Sequence, residues 1–202
     1  MHQDALTHLS LKLPHLREMF SQLSPVELPT KQEVEIPLAV TEIIVSQMLS
    51  GPSADVIFSR LIAKAIGTGN SKPWHLTEKE IMECGISRRK AFAIINFGTA
   101  FDSDPARFSD WPTLAHESLV REVSGFWGLS RWSADILGLS YFGNPDVFPA
   151  SDGTLVRAIK AACANTEVGA EEWDIDGASP YRSLLARYLW KSIDTGFWQQ
   201  SV

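Results

Sequence analysis

The spacing of apolar residues constrains the fold of this chain more than any other feature of its sequence. From Leu38 onward, apolar side chains recur three and four residues apart, which places them on one face of an α-helix. Nowhere does a run alternate between apolar and polar residues for long enough to require a β-strand. The sequence therefore predicts an all-α fold.

Glycine and proline mark the segments between the predicted helices. Residues 24–37 are rich in proline and glutamate and are predicted to form a loop. The next two helices are expected to be joined by a turn at Gly51-Pro52, with Ser53 as the N-cap of the second and Val56 on its inner face. The remaining predicted helices cover residues 78–84, 87–101, 115–122, 131–139, 154–164 and 180–195.

Charge and cysteine content limit the function classes. The formal net charge of −6 counts against a nucleic-acid binder, which usually presents a basic face. Only a local arrangement of basic groups and backbone donors can outweigh it, because DNA responds to the surface that faces it. Cys84 and Cys163 lie far apart in sequence, which excludes a cysteine-ligated zinc or iron–sulfur site.

The first residues and the overall hydropathy predict a location. The N-terminal sequence MHQDALTHLSLKLPHL lacks a basic segment followed by an apolar run, so no secretory signal is expected. No stretch approaches the roughly 18 apolar residues that a membrane span needs. We therefore expect a cytoplasmic protein with no membrane association.

The most informative segment covers residues 119–159. It is predicted to form a helix, a tight turn at Trp127-Gly128-Leu129-Ser130, a second helix and a loop that ends at Asp152. The unpaired N–H groups at the start of the second helix could bind a phosphate oxygen. A hairpin that only contributes to the core explains the same pattern, and periodicity alone favours that interpretation.

This segment resembles the helix-hairpin-helix and loop-aspartate signature of the DNA glycosylase superfamily, especially its 3-methyladenine branch. The residues that carry the resemblance are Gly128-Leu129-Ser130, Trp132-Ser133-Ala134, Pro145-Asp146-Val147-Phe148-Pro149 and Asp152. Three further segments match in the same order: IIVSQMLSGPSADVIFSRL (43–61), GISRRKAFAI (85–94) and SPYRSLLARYLW (179–190). The resemblance thus extends over residues 38–193.

Two positions depart from the family pattern. Ser130 replaces the second hairpin glycine, so either the turn accepts a non-glycine residue or the phosphate site is altered. Met48 replaces one glutamine of the family's pair.

The resemblance implies one glycosylase unit over residues 1–202, built from two helical lobes with a central cleft. Lobe one would comprise residues 1–38 and 145–202. Lobe two would comprise residues 39–144 and carry the hairpin at 119–139. A monomer is expected.

By the resemblance, Asp152 is the catalytic carboxylate. Breaking a glycosidic bond builds positive charge on the sugar, which a carboxylate stabilises, and the same group can orient or deprotonate the attacking water. An Asp before Gly-Thr-Leu-Val-Arg is also well placed to cap the following helix. Spacing alone favours that role, the resemblance favours catalysis, and the two roles are compatible. Asp135 and Asp146 are weaker candidates.

Two tryptophans are candidates for the base pocket. Trp132 occupies the position where bifunctional members of the superfamily carry a Schiff-base lysine, so the resemblance implies a monofunctional enzyme that uses water. Trp132 and Trp190 could stack on the extruded base, and core packing is the alternative for each.

The resemblance also implies DNA contacts by Gln47, Met48, Gly128, Ser130 and Arg131. Met48 would enter the duplex and fill the space left by the extruded base, although a Met buried in an amphipathic helix explains the pattern equally well. Arg88, Arg89 and Lys90 are interpreted as a solvated face. Arg182 is a candidate partner for an acid.

The sequence therefore predicts a monofunctional DNA glycosylase that excises alkylated purines such as 3-methyladenine from double-stranded DNA. No metal or organic cofactor is implied. Two alternatives stay open: a glycosylase for another lesion, such as uracil or a deaminated purine, and a non-catalytic damage-sensing module on the same fold.

Overall fold

The computed structural model describes residues 2–23 and 25–199, and within them no residue forms a β-strand. The predicted all-α fold is confirmed. The α-helices of the described chain are α1 (His2–Lys12), α2 (Arg17–Gln22), α3 (Ile36–Ser46), α4 (Gly51–Gly67), α5 (Glu78–Glu83), α6 (Arg88–Ser103), α7 (His116–Ser124), α8 (Arg131–Ile136), α9 (Gly153–Thr166) and α10 (Arg182–Asp194). Between the helices run loops and short 3₁₀ turns.

The chain divides into two compact units. One joins the segments Met1–Lys31 and Gly143–Val202, and the other is Gln32–Phe142. In the first unit α9 packs against α10, and α10 also contacts α2. Tyr188 of α10 is fully buried there and meets Phe20 edge-on, with ring centroids 5.3 Å apart.

The second unit has a core of aliphatic residues from α3, α4 and α6, extended by an aromatic cluster. Phe97, Phe108 and Phe126 pack edge-on or tilted with Trp111, at centroid separations of 4.8–6.0 Å. Aromatic rings gain most in such offset and edge-to-face arrangements. This core anchors α6 and the α7–α8 hairpin, and the hairpin carries Gly128, Ser130 and Arg131, three of the residues predicted to meet DNA.

The junction between α3 and α4 differs from the sequence-based expectation. α3 begins at Ile36, inside the predicted loop, and α4 begins at Gly51 with Ser50, not Ser53, as its N-cap residue. Proline fits the first helical turn, where its missing N–H has no intrahelical partner, so Gly51-Pro52 starts the helix instead of preceding it. Val56, expected on the inner face, is 50% exposed.

The second hairpin helix ends in an irregular turn. α8 passes directly into a π-helical segment over Leu137–Tyr141, where regular helix was predicted as far as residue 139. The carbonyl of Tyr141 then accepts a hydrogen bond from the backbone N–H of Gln32, 2.8 Å away. Among the described helices, none combines the length and the apolar character that a membrane crossing requires.

Candidate active site

Asp152 is the N-cap residue of α9. Its backbone is extended (φ −67°, ψ 124°), and its Oδ1 accepts hydrogen bonds from the backbone N–H groups of Thr154 and Leu155, each at 2.9 Å. The predicted capping role is therefore confirmed. Capping satisfies two of the donors that every helix start leaves unpaired, and it places the carboxylate at the positive end of a 14-residue helix.

Trp190 of α10 is a third donor to Oδ1. Its indole Nε1 donates to Asp152 Oδ1 at 2.9 Å, and the side chain is partly buried. Three donors thus hold one carboxylate oxygen, two from the backbone and one from a neighbouring helix. Hydrogen bonds to an ionised acceptor are stronger than neutral ones, so this carboxylate is fixed in direction. Asp152 and Trp190, both predicted as site residues, are 38 positions apart in the sequence and are in direct contact in the fold.

The loop before Asp152 is anchored to the start of α10. The backbone N–H of Val147 donates to Ser183 Oγ at 2.8 Å, and that hydroxyl donates to the carbonyl of Asn144 at 2.7 Å. Val147 and Ser183 are both buried. The N–H of Asp152 itself donates to the carbonyl of Pro149 at 2.8 Å, which closes the turn that leads into α9.

Asp146 and Arg182 form the second tie between this loop and α10. The guanidinium binds both carboxylate oxygens, Nε to Oδ1 at 2.8 Å and Nη2 to Oδ2 at 2.9 Å, while Ser179 Oγ donates to Oδ2 at 2.7 Å. Burial raises the pKa of Asp146, but these hydrogen bonds outweigh it and hold the pKa below its usual range. Arg182 therefore pairs mainly with Asp146, in a structural role, and its Nη1 also lies 3.7 Å from Asp176 Oδ1.

Asp135, the other aspartate weighed as a candidate, lies inside the Gln32–Phe142 unit. Its side chain is 5% exposed and its Oδ1 is 2.7 Å from His116 Nε2. This pair joins α8 to α7. Asp135 thus fastens the two hairpin helices together.

Trp132 is partly buried and packs against the core of the Gln32–Phe142 unit. The next two residues, Ser133 and Ala134, are buried, so α8 is turned with its small residues inward. Packing against the core and exposing part of the ring are compatible with both roles weighed for Trp132. Its place in a base pocket stays a prediction.

The hairpin turn needs a glycine at one position only. Gly128 has φ +83°, and a Cβ there would lie 2.9 Å from the Cβ of Ala93, so conformation and space both require glycine. Ser130 has φ −142° and ψ −180°, extended backbone that any residue adopts. The turn therefore accepts the departure from the family pattern at residue 130.

Met48 is fully exposed at the end of α3. Its relative exposure is 101% and its φ is +60°, a left-handed conformation that costs a non-glycine residue about 1–2 kcal/mol. The interpretation of Met48 as a buried helix residue is wrong. The neighbouring Gln47 donates from Nε2 to the carbonyl of Gly128 at 3.0 Å, so this side chain ties the Met48 turn to the hairpin.

Lys90 supports the same turn. Its Nζ donates to the carbonyls of Val45 and Gln47, at 2.8 and 2.7 Å, which satisfies acceptors that the end of α3 leaves unpaired. Burial lowers the pKa of Lys90. The interpretation of Lys90 as part of a solvated face is wrong. Its position three residues after the N-cap Ser87 gives no sign of this role, because the partners lie 43 and 45 residues away.

Arg131, predicted to contact DNA, is exposed and forms an ion pair with Glu117 of α7; its Nη1 lies 3.1 Å from Glu117 Oε2. Reaching a phosphate would require it to leave or share that carboxylate. Within residues 2–23 and 25–199, no three His, Cys, Asp or Glu side chains gather as metal ligands would.

The fold is that of known helical DNA glycosylases. A 3-methyladenine DNA glycosylase of Schizosaccharomyces pombe, solved in complex with abasic DNA, matches with a TM-score of 0.77 at 20% identity, covering 95% of this chain and 97% of that one. The DNA-3-methyladenine glycosidase of Bacillus halodurans matches with a TM-score of 0.72 at 22% identity, covering 96% and 90%.

Sequence relatives give the same class. The alkylbase DNA glycosidase-like protein mag2 of Schizosaccharomyces pombe is 25% identical over 73% of both chains. DNA-3-methyladenine glycosylase 1 of the same organism is 25% identical over 74% of this chain and 68% of its own length. No family model matches the chain. The resemblance to the 3-methyladenine branch that was inferred from the motifs is confirmed.

Proposed function

We propose that this protein is a monofunctional DNA glycosylase that hydrolyses the N-glycosidic bond of alkylated purines, such as 3-methyladenine, in double-stranded DNA. The relatives named as 3-methyladenine glycosylases support the reaction class. The observation that carries the proposal for this chain is Asp152, whose carboxylate is held by Thr154, Leu155 and Trp190.

The geometry of Asp152 suits this reaction. As the bond to the base breaks, positive charge grows on the sugar, and a carboxylate of fixed direction stabilises that charge without having to reorient. An alkylated purine already bears positive charge and leaves without a strong general acid. One oriented carboxylate therefore suffices, and it can also direct the attacking water.

Trp132 supports hydrolysis by water. No amine stands at this position, so the proposed enzyme forms no Schiff base and does not cleave the strand. In the proposal, Trp132 and Trp190 offer aromatic surface to the extruded base. Because Trp190 also donates to Asp152, base recognition and carboxylate orientation share one side chain.

The Met48 turn supports extrusion of the damaged nucleotide. Rotating a nucleotide out of the stack costs a few kcal/mol, and an apolar side chain that fills the vacated space offsets part of it. Met48 is exposed, apolar and held in place by Lys90 and Gln47. The proposed partner is duplex DNA with a damaged base, acted on by a monomer.

The test is release of base from duplex DNA that contains alkylated purines, with Asp152→Asn beside the wild type. We expect the wild type to release base and Asp152→Asn to be slower by on the order of 10²–10³-fold, the loss typical of removing a main electrostatic stabiliser. Asparagine caps helices about as well as aspartate, so the fold should persist. Asp104→Asn is the matched control, because Asp104 caps a short helix of the other unit.

The other outcomes separate the alternatives. Binding of lesion DNA without release by either protein would contradict an enzyme and favour a damage-sensing module. Release of uracil or a deaminated purine, with alkylated purines left intact, would contradict the proposed substrate class.

A further inference from the structure

An aromatic pair lies exposed beside the hairpin, in the Gln32–Phe142 unit. Trp127, the residue before Gly128, meets Phe92 of α6 edge-on, with ring centroids 5.0 Å apart and planes at 89°. The two side chains are 45% and 49% exposed. Arg89 of α6 lies over the indole, with its Cζ 5.7 Å from the ring centroid. We call Arg89, Phe92 and Trp127 the hairpin-edge cluster.

The core does not account for these rings. Phe126, the preceding residue, packs into the aromatic cluster of the unit with Phe97 and Trp111, whereas Trp127 turns outward. Large aromatic side chains that stay exposed yet are held by neighbours on two sides are typical of binding surfaces. A ring held in this way also loses little conformational entropy when a partner binds it.

The charge of the cluster indicates the kind of partner. Three other arginines of this unit are paired with acids, Arg88 with Glu78, Arg107 with Glu122 and Arg131 with Glu117, whereas Arg60 and Arg121 take part in no ion pair among the described residues. Arg89 likewise has no carboxylate partner within 4.0 Å among the described residues, but its guanidinium lies over the Trp127 indole. In a chain of net charge −6, an unmatched guanidinium on an aromatic platform is complementary to a phosphate.

The cluster is continuous with the Met48 turn. Trp127 adjoins Gly128, whose carbonyl accepts the hydrogen bond from Gln47, the neighbour of Met48. On the other side, Lys90 follows Arg89 and donates to the carbonyl of Gln47. DNA that takes up Met48 would therefore lie next to the cluster.

We propose that the hairpin-edge cluster binds the sugar–phosphate backbone of duplex DNA beside the lesion. Arg89 forms the ion pair with a phosphate, and the rings of Trp127 and Phe92 pack against the adjoining deoxyribose. Contacts of this kind hold the duplex in register and read no sequence. The inference rests on the proposed function, since it assumes that DNA is the partner.

The experiment measures affinity for two duplexes, one undamaged and one with a tetrahydrofuran abasic-site analogue, as a function of salt concentration. We expect Arg89→Gln to weaken binding to both by about fivefold and to reduce the salt dependence by about one phosphate contact. Trp127→Ala should weaken binding to both by about tenfold. Arg88→Gln, which removes the same charge one residue away from an arginine paired with Glu78, should bind like the wild type.

The outcomes separate this inference from the proposed function. If the wild type binds the abasic duplex but Arg89→Gln and Trp127→Ala bind it equally well with unchanged salt dependence, the cluster does not contact DNA and the proposed function stands. If the wild type binds neither duplex, the proposed function fails first. Arg89→Lys keeps the positive charge but not the planar guanidinium, so its affinity should lie between those of Arg89→Gln and the wild type. This measurement tests the cluster even if Trp127→Ala fails to fold.

Discussion

The Asp152 site and the Met48 turn, both proposed to act on the same nucleotide, are built in opposite ways. Asp152 has an ordinary extended backbone, and three donors converge on its Oδ1. Met48 has a left-handed backbone and a side chain wholly in solvent. Converging hydrogen bonds stabilise the first region, whereas neither backbone conformation nor burial stabilises the second.

This difference follows from what each region is proposed to do. A carboxylate that stabilises developing charge is effective only if its direction is set before the reaction. A side chain that enters the duplex must be apolar and exposed before DNA arrives, which is unfavourable in the free protein. Lys90 and Gln47 compensate by holding the chain just before Met48, since Lys90 binds the carbonyl of Gln47 and the Gln47 side chain binds the carbonyl of Gly128. Strain that neighbouring contacts maintain in this way is a common feature of functional sites.

Replacing Met48 should have the largest effect on this comparison, because one substitution can remove both its backbone strain and its exposed side chain. Met48→Gly should raise the free energy of unfolding by about 0.5–1 kcal/mol, because glycine relieves the left-handed strain at the expense of some backbone entropy. The same variant should slow base release by about tenfold or more, because part of the cost of extrusion is no longer offset. Thermal unfolding and single-turnover base release measure the two effects.

Met48→Ala is the matched control for that variant. It removes the inserting side chain and keeps the Cβ, so it should slow base release equally without gaining stability. A Met48→Gly protein that is both more stable and fully active would show that the strain at Met48 serves no part of the reaction.

Trp190→Phe tests whether the direction of the Asp152 carboxylate matters beyond its charge. The variant keeps an aromatic ring and removes only the Nε1 donor. We expect single-turnover release to slow by about three- to tenfold. This is less than the roughly 10- to 150-fold that the full loss of a hydrogen bond to a charged acceptor, about 1.5–3 kcal/mol, would cause, because two backbone donors remain. Base release at saturating protein isolates this step from DNA binding.

Trp198→Phe provides the comparison for a lost indole hydrogen bond. Trp198 donates from Nε1 to Ser192 Oγ at 2.8 Å in the same unit and is buried. That variant should lose stability while its rate of base release stays unchanged. Equal rates for Trp190→Phe and the wild type would mean that the backbone donors alone orient Asp152.

The smallest expected effect is on stability in acid. It concerns Asp102 of the Gln32–Phe142 unit, whose carboxylate is hydrogen-bonded to three side chains. The hydrogen bond from Lys72, with those from His75 and Trp74, lowers the pKa of Asp102 from 3.8 to about 2. A pKa lowered in the folded state stabilises the fold above the unfolded-state value, and this stabilisation is lost as the pH falls from about 4 to 2. Asp102→Asn should therefore be less stable at neutral pH and show a flatter decline over that range.

Equilibrium unfolding in urea at several pH values measures this slope. Asp102 is partly exposed, so the difference should be modest and should shrink at high salt. If the free energy of unfolding of Asp102→Asn falls as steeply with decreasing pH as that of the wild type, Asp102 makes no contribution to the loss of stability in acid.

Features with local causes could be read from the sequence. The helices follow from apolar residues spaced three and four apart, and the cap at Asp152 follows from an aspartate placed directly before a helix start. The predicted turn at Gly51-Pro52 failed for a local reason too, because proline is as well suited to begin a helix as to precede one.

Features that depend on residues far apart in the sequence could not be predicted in this way. Lys90 belongs to a basic run that is ordinarily solvated, and only the position of the end of α3 beside it makes it a cap. In the sequence, Ser130 departs from the glycine of the family motif. In the structure its backbone is extended, so the turn does not require glycine at this position. Trp127 has no predicted role beyond the turn, and only the fold places its exposed ring against Phe92.

The sequence by itself determined the helical class, the order of the motifs and the helix cap at Asp152, because periodicity, capping and motif order are properties of neighbouring residues. Only the tertiary structure decided that Trp190 holds Asp152, that Met48 is exposed and strained, and that Arg89 and Phe92 meet Trp127. Each of these depends on which residues the fold brings within a few ångströms. Hydrogen bonds and ring contacts act only at that range, whatever the separation along the chain.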